Sequence, residues 1–169
     1  MNKLTPCRRL LALLCITLIN GMMFKSHAQY SIDNNDDLLA LKVTTQEWSA
    51  NLAVLNDDKK VKVDDDLSYH WFKAQEIHTT VGGYAGRLLH NEFERFDADG
   101  NLVEQGQFEK GLKTGTWKTW YASGAIHTQA DWKKGRLHGI YRQYNEDGAL
   151  TIYAEYKNGK LHGSYIEYD

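Results

Sequence analysis

The sequence predicts an all-β protein: an open, twisted antiparallel sheet of stacked 24-residue β-hairpins, with a short helical or mixed segment capping its N-terminal end. Three observations carry this. Glycines return at a step of 24, as Gly111, Gly135 and Gly159, as Gly115, Gly139 and Gly163, and as Gly100, Gly124 and Gly148. Rings keep the same step, as Phe93, Trp117, Tyr141 and Tyr165, as Phe96, Trp120, Tyr144 and Tyr168, and as Tyr84, Phe108, Trp132 and Tyr156. Small and aliphatic positions follow in phase, as Gly106, Ala130 and Ala154 and as Leu102, Ile126 and Leu150. Self-similarity at a fixed period of this length marks a repeat architecture.

The first element is a removable leader. Lys3, Arg8 and Arg9 form a basic start, 10–24 an apolar run, and Ser26 and Ala28 the small residues before a cut at Gln29. This is the layout of a signal peptide over residues 1–28, and the run is shorter than the roughly 20 residues a membrane span needs. The chain is therefore expected to be exported, to the periplasm, the outer cell envelope or the medium. Both cysteines, the one proline and all three methionines of the 169 residues lie inside this segment. A chain beginning at Gln29 has no thiol and no disulfide, which excludes a cysteine nucleophile or a Cys-ligated zinc module. Its formal charge moves from −2 to −6, against any general affinity for nucleic acid.

Residues 29–68 read as a leader and cap. Leu38, Leu41, Trp48, Leu52 and Leu55 fit one helical stripe behind Asp36 and Asp37, while Val43-Thr44-Thr45 favours a strand. The repeat domain spans 69–169, about four and a half hairpin units. Its first copy is faint: Tyr69 and Phe72 stand one period before Phe93 and Phe96, with Glu76 where later copies carry Gly.

Each later unit reads Gly-x-x-x-Gly-x-aromatic-x-x-aromatic, then a turn, then an apolar strand ending in a ring. Asp97–Gly100, Tyr121–Gly124 and Asn145–Gly148 have the chemistry of a type I turn closed by Gly at positive φ. Ring positions in neighbouring hairpins are two strands, or roughly 9–10 Å, apart, and Ala130 leaves room for a large ring between them. Trp117 and Trp120 are three apart and so point to opposite faces, which puts rings on both. The last strand, Ser164–Tyr168, is an edge able to pair with another chain.

Phe108–Trp117, Trp132–Tyr141 and Tyr156–Tyr165 each carry aromatic-x-x-Gly-x-x-x-Gly-x-aromatic. This resembles the MORN repeat variant. Gly135-Arg136-Leu137-His138-Gly139 and Gly159-Lys160-Leu161-His162-Gly163 are similar to the form found in the bacterial YwqK-type antitoxin family. The resemblance covers about residues 69–169 and departs at Asn91, where a Gly is expected. It implies an antiparallel hairpin array acting as an interaction or membrane-apposition module, with a toxin as one possible class of partner.

Candidate contact residues follow from the repeats. Trp117, Tyr141 and Tyr165 on one face, or Trp120, Tyr144 and Tyr168 on the other, are expected to meet a protein partner, a toxin or a second copy. Lys133, Lys134, Arg136, Lys157 and Lys160 cluster at successive turns and could meet anionic headgroups, which makes a peripheral envelope-membrane binder the alternative. A carbohydrate binder using the rings stands third. Gly100, Gly111, Gly115, Gly124, Gly135, Gly139, Gly148, Gly159 and Gly163 are expected to be structural turn residues. No catalytic residue, cofactor or metal site is expected. His90, His138 and His162 share a phase, but copies 9–10 Å apart cannot share an ion whose nitrogens must lie at about 2 Å.

Overall fold

The computed structural model describes residues 27–32, 37–56 and 61–169. The expected signal peptide lies outside these residues, apart from His27 and Ala28. The strands are β1 (His27–Ile32), β2 (Leu38–Thr44), β3 (Trp48–Leu55), β4 (Ser68–Lys73), β5 (Glu76–Val81) and β6 (Arg87–Asp97). They continue as β7 (Leu102–Glu109), β8 (Leu112–Trp120), β9 (Ile126–Lys133), β10 (Arg136–Tyr144), β11 (Leu150–Lys157) and β12 (Lys160–Glu167). Among the described residues there is no helix. The main sheet runs β1-β2-β3-β6-β7-β8-β9-β10-β11-β12, each strand hydrogen-bonded to the next, while β4 and β5 form a hairpin off this path. Every pairing is antiparallel. The open sheet of successive hairpins is as the repeats require.

The N-terminal segment corrects the helical expectation. Leu38, Leu41, Trp48, Leu52 and Leu55 do not form a helical stripe. They sit on two strands that pair from Leu38↔Leu55 to Thr44↔Ser49. Burial alternates, with Leu41 and Val43 in one strand and Ala50, Leu52 and Val54 in the next all at 4% exposure or less. That is the period of a strand, in line with the preference of Val43-Thr44-Thr45. Thr45 closes the turn, its N–H donating to the Trp48 carbonyl at 2.8 Å and its Oγ1 accepting from the Trp48 N–H at 3.0 Å.

The faint first copy also behaves differently from its phase. Residues 68–81 do form a hairpin, but β3 takes the place beside β6, pairing along Trp48↔Asp97 to Val54↔Leu89. β4 keeps only Trp71↔Leu88 and Phe72↔Arg87. Its turn is Ala74-Gln75, both at positive φ (52° and 67°), where the later copies end in a wider turn with Gly. The hairpin folds over one face of the main sheet and joins its ladder only at these two pairs.

Two turn types alternate along the repeats. On one side Gly100, Gly124 and Gly148 (φ 84–88°) each donate their N–H to the residue three before, as expected for closed type I turns. On the other, Lys110-Gly111, Lys134-Gly135 and Asn158-Gly159 have positive φ at both positions, the two-residue turn whose twist matches antiparallel strands. Each of these Gly N–H groups reaches back to the hairpin before, to the carbonyls of Leu89, Lys113 and Leu137 at 2.7, 2.9 and 2.8 Å. Successive units are thereby tied by main-chain bonds outside the strand ladder.

The core sits between the hairpin and the sheet. Phe72, Leu89, Phe93, Phe108 and Trp117 join the buried residues of β2 and β3 in one cluster. A satellite of Leu67, Tyr69, Trp71 and Leu88 holds the hairpin's other side. Tyr84, in phase with Phe108, leaves that series: its hydroxyl accepts the Val61 N–H at 2.7 Å and its ring meets Tyr69.

Candidate interaction face

Alternation along the strands places Phe93, Trp117, Tyr141 and Tyr165 on the face that carries the hairpin, and small residues stand between them. Phe93 pairs with Gly106, Trp117 and Tyr141 flank Ala130, and Tyr141 and Tyr165 flank Ala154. The expected ring–small–ring order is present. The rings come closer than 9–10 Å: the Phe93 and Trp117 centroids are 5.8 Å apart, and Phe108 lies 4.8 Å from Trp117, edge to face. The indole leans over the bare backbone of Gly106, where a Cβ would fall onto its ring. Its Nε1–H donates to the carbonyls of Gln107 and Thr114 at 3.1 and 3.2 Å. Phe108, Trp132 and Tyr156 form a second row on this face, in contact with the first at Phe93–Phe108 (5.4 Å) and Tyr141–Tyr156 (6.4 Å). Their shared phase was visible in the sequence, but not that they would join the first row.

The hairpin covers only part of this surface. His70↔Thr79 and Phe72↔Ile77 are cross-strand pairs, and these four residues face the sheet. The His70 ring lies 4.8 Å from Phe108, its Nδ1 is 3.2 Å from the Gly111 carbonyl, and its backbone N–H donates to that carbonyl at 2.8 Å. Burial lowers the His70 pKa, helped by nearby Lys113, while the Gly111 carbonyl and Glu104 act the other way. His70 lies outside the phase that His90, His138 and His162 share, so no repeat spacing marks it in the sequence. A cleft of about 300 Å³ remains under the hairpin, and along it Glu104 takes Arg95 at 3.2 Å and Lys113 at 3.0 Å. The Lys113 ammonium also sits 3.8 Å above the Trp117 ring. Two cations thus share one carboxylate, and the group keeps a net positive charge beside the cleft.

Beyond β8 the same face is bare. Exposure along the ladder is 5% at Phe93, 3% at Trp117 and 52% at Tyr165, with Tyr141 half-buried between them. Partial burial raises the Tyr141 pKa, and its hydroxyl donates to Gln143 Oε1 at 3.1 Å. Tyr156 is half-buried and Leu161 exposed.

The other expected rings are placed less uniformly. Trp120 pairs with Ile126 and Tyr144 with Leu150, both half-buried, and the Tyr144 carbonyl accepts the Tyr121 hydroxyl at 2.9 Å. Tyr168 is exposed. The face opposite the hairpin carries Asn51, Glu94, Gln105, Lys118, Gln129 and Arg142, with Glu94 accepting from Asn51 and Gln105 at 3.2 Å. From β3 to β10 this row is polar; at β11 and β12 it continues as Tyr153 and the exposed Ile166.

Of the basic group, Lys133, Lys134, Lys157 and Lys160 are exposed at successive turns, whereas Arg136 faces Asp64 at 3.7 Å. His90 Nδ1 accepts the Lys110 N–H at 3.1 Å, and His138 Nδ1 meets Asn158 Oδ1 at 3.2 Å, so each imidazole serves the turn of the following hairpin. Among the described residues no three His, Cys, Asp or Glu side chains gather as metal ligands.

Residues 89–110, 113–134 and 137–158 match the MORN repeat variant, three consecutive copies coinciding with the units from β6 to β11. No curated protein and no solved structure matches the chain. MORN repeats serve generally as protein- or membrane-interaction modules and are not themselves enzymes.

Proposed function

We propose that this chain is an exported, non-catalytic interaction protein whose bare half-face, Tyr141, Tyr156, Leu161 and Tyr165, holds a protein partner. The carrying observation is that one ring ladder is buried under the chain's own hairpin at Phe93 and Trp117 and left open at Tyr165. A contiguous patch of half-buried and exposed apolar groups of this kind marks a contact surface. The resemblance to the YwqK-type antitoxin family makes an exported toxin the first partner to test. The decisive comparison is between the wild type and Tyr156→Ala/Tyr165→Ala. The double variant should keep its melting temperature within a few degrees and release the partner that the wild type retains; equal retention would sink the reading. For export, N-terminal sequencing of the chain recovered from outside the cytoplasm should begin at Gln29.

A second reading has its own observation: the exposed row Lys133, Lys134, Lys157 and Lys160 along one set of turns. Such a row suits an anionic membrane surface at about 1 kcal/mol per cation. Sedimentation with phosphatidylglycerol vesicles tests it, and binding that fails to appear at low salt removes it.

A further inference from the structure

The repeat makes the covered and the open parts of the face copies of one another. Moving 48 residues along the chain carries Phe93, Phe108 and Trp117 onto Tyr141, Tyr156 and Tyr165, and carries Gly111 onto Gly159. At the first location the occupant is known. It is a β-hairpin whose inner side presents His70, Phe72, Ile77 and Thr79, and whose His70 N–H docks on the Gly111 carbonyl at 2.8 Å. Among the described residues no other hairpin reaches the Gly159 carbonyl, and the three rings two repeats on carry no such cover.

We propose that the open location is a docking site for a β-hairpin of another protein, one whose inner side carries an aromatic and a β-branched residue as a cross-strand pair. This rests on the interaction-face reading above and names the kind of partner. The ring positions and the turn carbonyl are offered twice, and the chain itself shows what fits them; the two ladder pairs of β4 with Leu88 and Arg87 are not repeated, because Arg136 and Gly135 two repeats on belong to the β9–β10 turn.

Two further features bear on the partner. The covered location contains the Arg95–Glu104–Lys113 ion group, and the corresponding residues two repeats on are Gln143, Ile152 and Leu161. The second site is the more apolar, so its occupant needs no charge on its inner side. The resident hairpin is preceded by the acidic run Asp64-Asp65-Asp66, and Asp64 already reaches Arg136 in the row of basic turns. Lys160 stands one repeat beyond Arg136 and not two, so the Asp64 contact belongs to the resident hairpin and sets no charge requirement on the second occupant.

The 68–81 hairpin of a second copy of this chain is not the occupant. It is held on both sides, with Phe72 in the main cluster and Tyr69 and Trp71 in the satellite, and has nothing spare to offer.

The probe is a synthetic peptide of residues 68–81, closed through a D-Pro-Gly linker so that it holds the hairpin form, and titrated calorimetrically into the full chain. One peptide should bind per chain, with slowed amide exchange over 139–143, 152–156 and 163–167. Binding should fall at least tenfold for Tyr156→Ala/Tyr165→Ala, and also for a peptide carrying Phe72→Ser and Ile77→Ser. Three results overturn the proposal: no binding; unchanged binding by the double variant; or protection over 88–117 with faster exchange at the chain's own 68–81, which is displacement of the resident hairpin. If the peptide fails while the double variant still releases a native partner, the hairpin identity falls and the interaction face stands.

Discussion

The ladder beneath the hairpin and the ladder beyond it share one backbone plan and differ in everything that touches water. Between β6 and β8 the rings are Phe, Phe and Trp, nearly fully buried, with a glycine between two of them and an ion group at their margin. Between β10 and β12 they are three tyrosines, with alanine in the gap and Gln, Ile and Leu in place of the ions. The intermediate unit is transitional: Thr119 and Thr128 stand where the ions were and share a hydrogen bond at 2.7 Å. A ring with a hydroxyl can remain wet at one end, which suits a surface that must be stable both bare and covered. Fixed backbone positions thus make the array, and the identity of each ring states whether the chain covers it.

The largest test of this difference compares equivalent rings. Trp117→Ala should cost about 3–5 kcal/mol, as for other large buried aromatics, while Tyr165→Ala should stay within about 0.5 kcal/mol. Urea unfolding of both variants measures it, and equal losses would break the contrast. Next comes the gap residue. Gly106→Ala drives a methyl into the Trp117 indole and should cost about 1–3 kcal/mol, although alanine is the resident residue at 130 and 154.

A smaller separation is expected at the turns. Gly111 and Gly159 have nearly the same φ, 80° and 79°, so alanine at either incurs about 1–2 kcal/mol of backbone strain. At Gly111 the new Cβ also meets Leu88 at 2.6 Å and the His70 carbonyl at 2.9 Å, whereas at Gly159 the nearest atom is 3.8 Å away. Thermal melts should therefore rank Gly111→Ala below Gly159→Ala, and a reversed order would deny the hairpin its seat on that turn.

The smallest effect is one of pH. His70 is held below its ordinary pKa of about 6.5 when folded, so the unfolded chain binds more protons below that value. Stability contributed by neutral His70 is complete above pH ~6.5 and declines as pH falls through the unfolded and then the folded value. The slope of unfolding free energy between pH 7 and 5 should be steeper for the wild type than for His70→Gln. Matching slopes would mean the ring is no part of the cover.

The repeated hairpins, their turns and the ring–small–ring order were legible because each is dictated by fixed residues recurring in phase. The rest depended on competition between distant segments. Residues 38–55 mimic a helical stripe because two alternating strands joined by a short turn happen to put Leu41, Trp48, Leu52 and Leu55 at spacings a helix also uses. Tyr69 and Phe72 carry the repeat's phase, yet β3 holds seven paired residues of β6 where β4 holds two. No local pattern records which strand wins an edge. The cover over Phe108 was hidden for the same reason, since His70 meets it from 38 positions away in the chain.

Near-identical units bring an ambiguity of alignment, since a strand displaced by one whole period would find glycine, ring and small residue again where it needs them. The irregular hairpin removes it. Phe72 and Ile77 fit against Phe93, Phe108 and Trp117, and Tyr69 and Trp71 are locked to Leu67 and Leu88, sequences found once in the chain. Whichever unit they seize becomes the first, and the others can only be counted from it. A segment that looks like a failed repeat is thus the origin of the scale on which the true repeats are read.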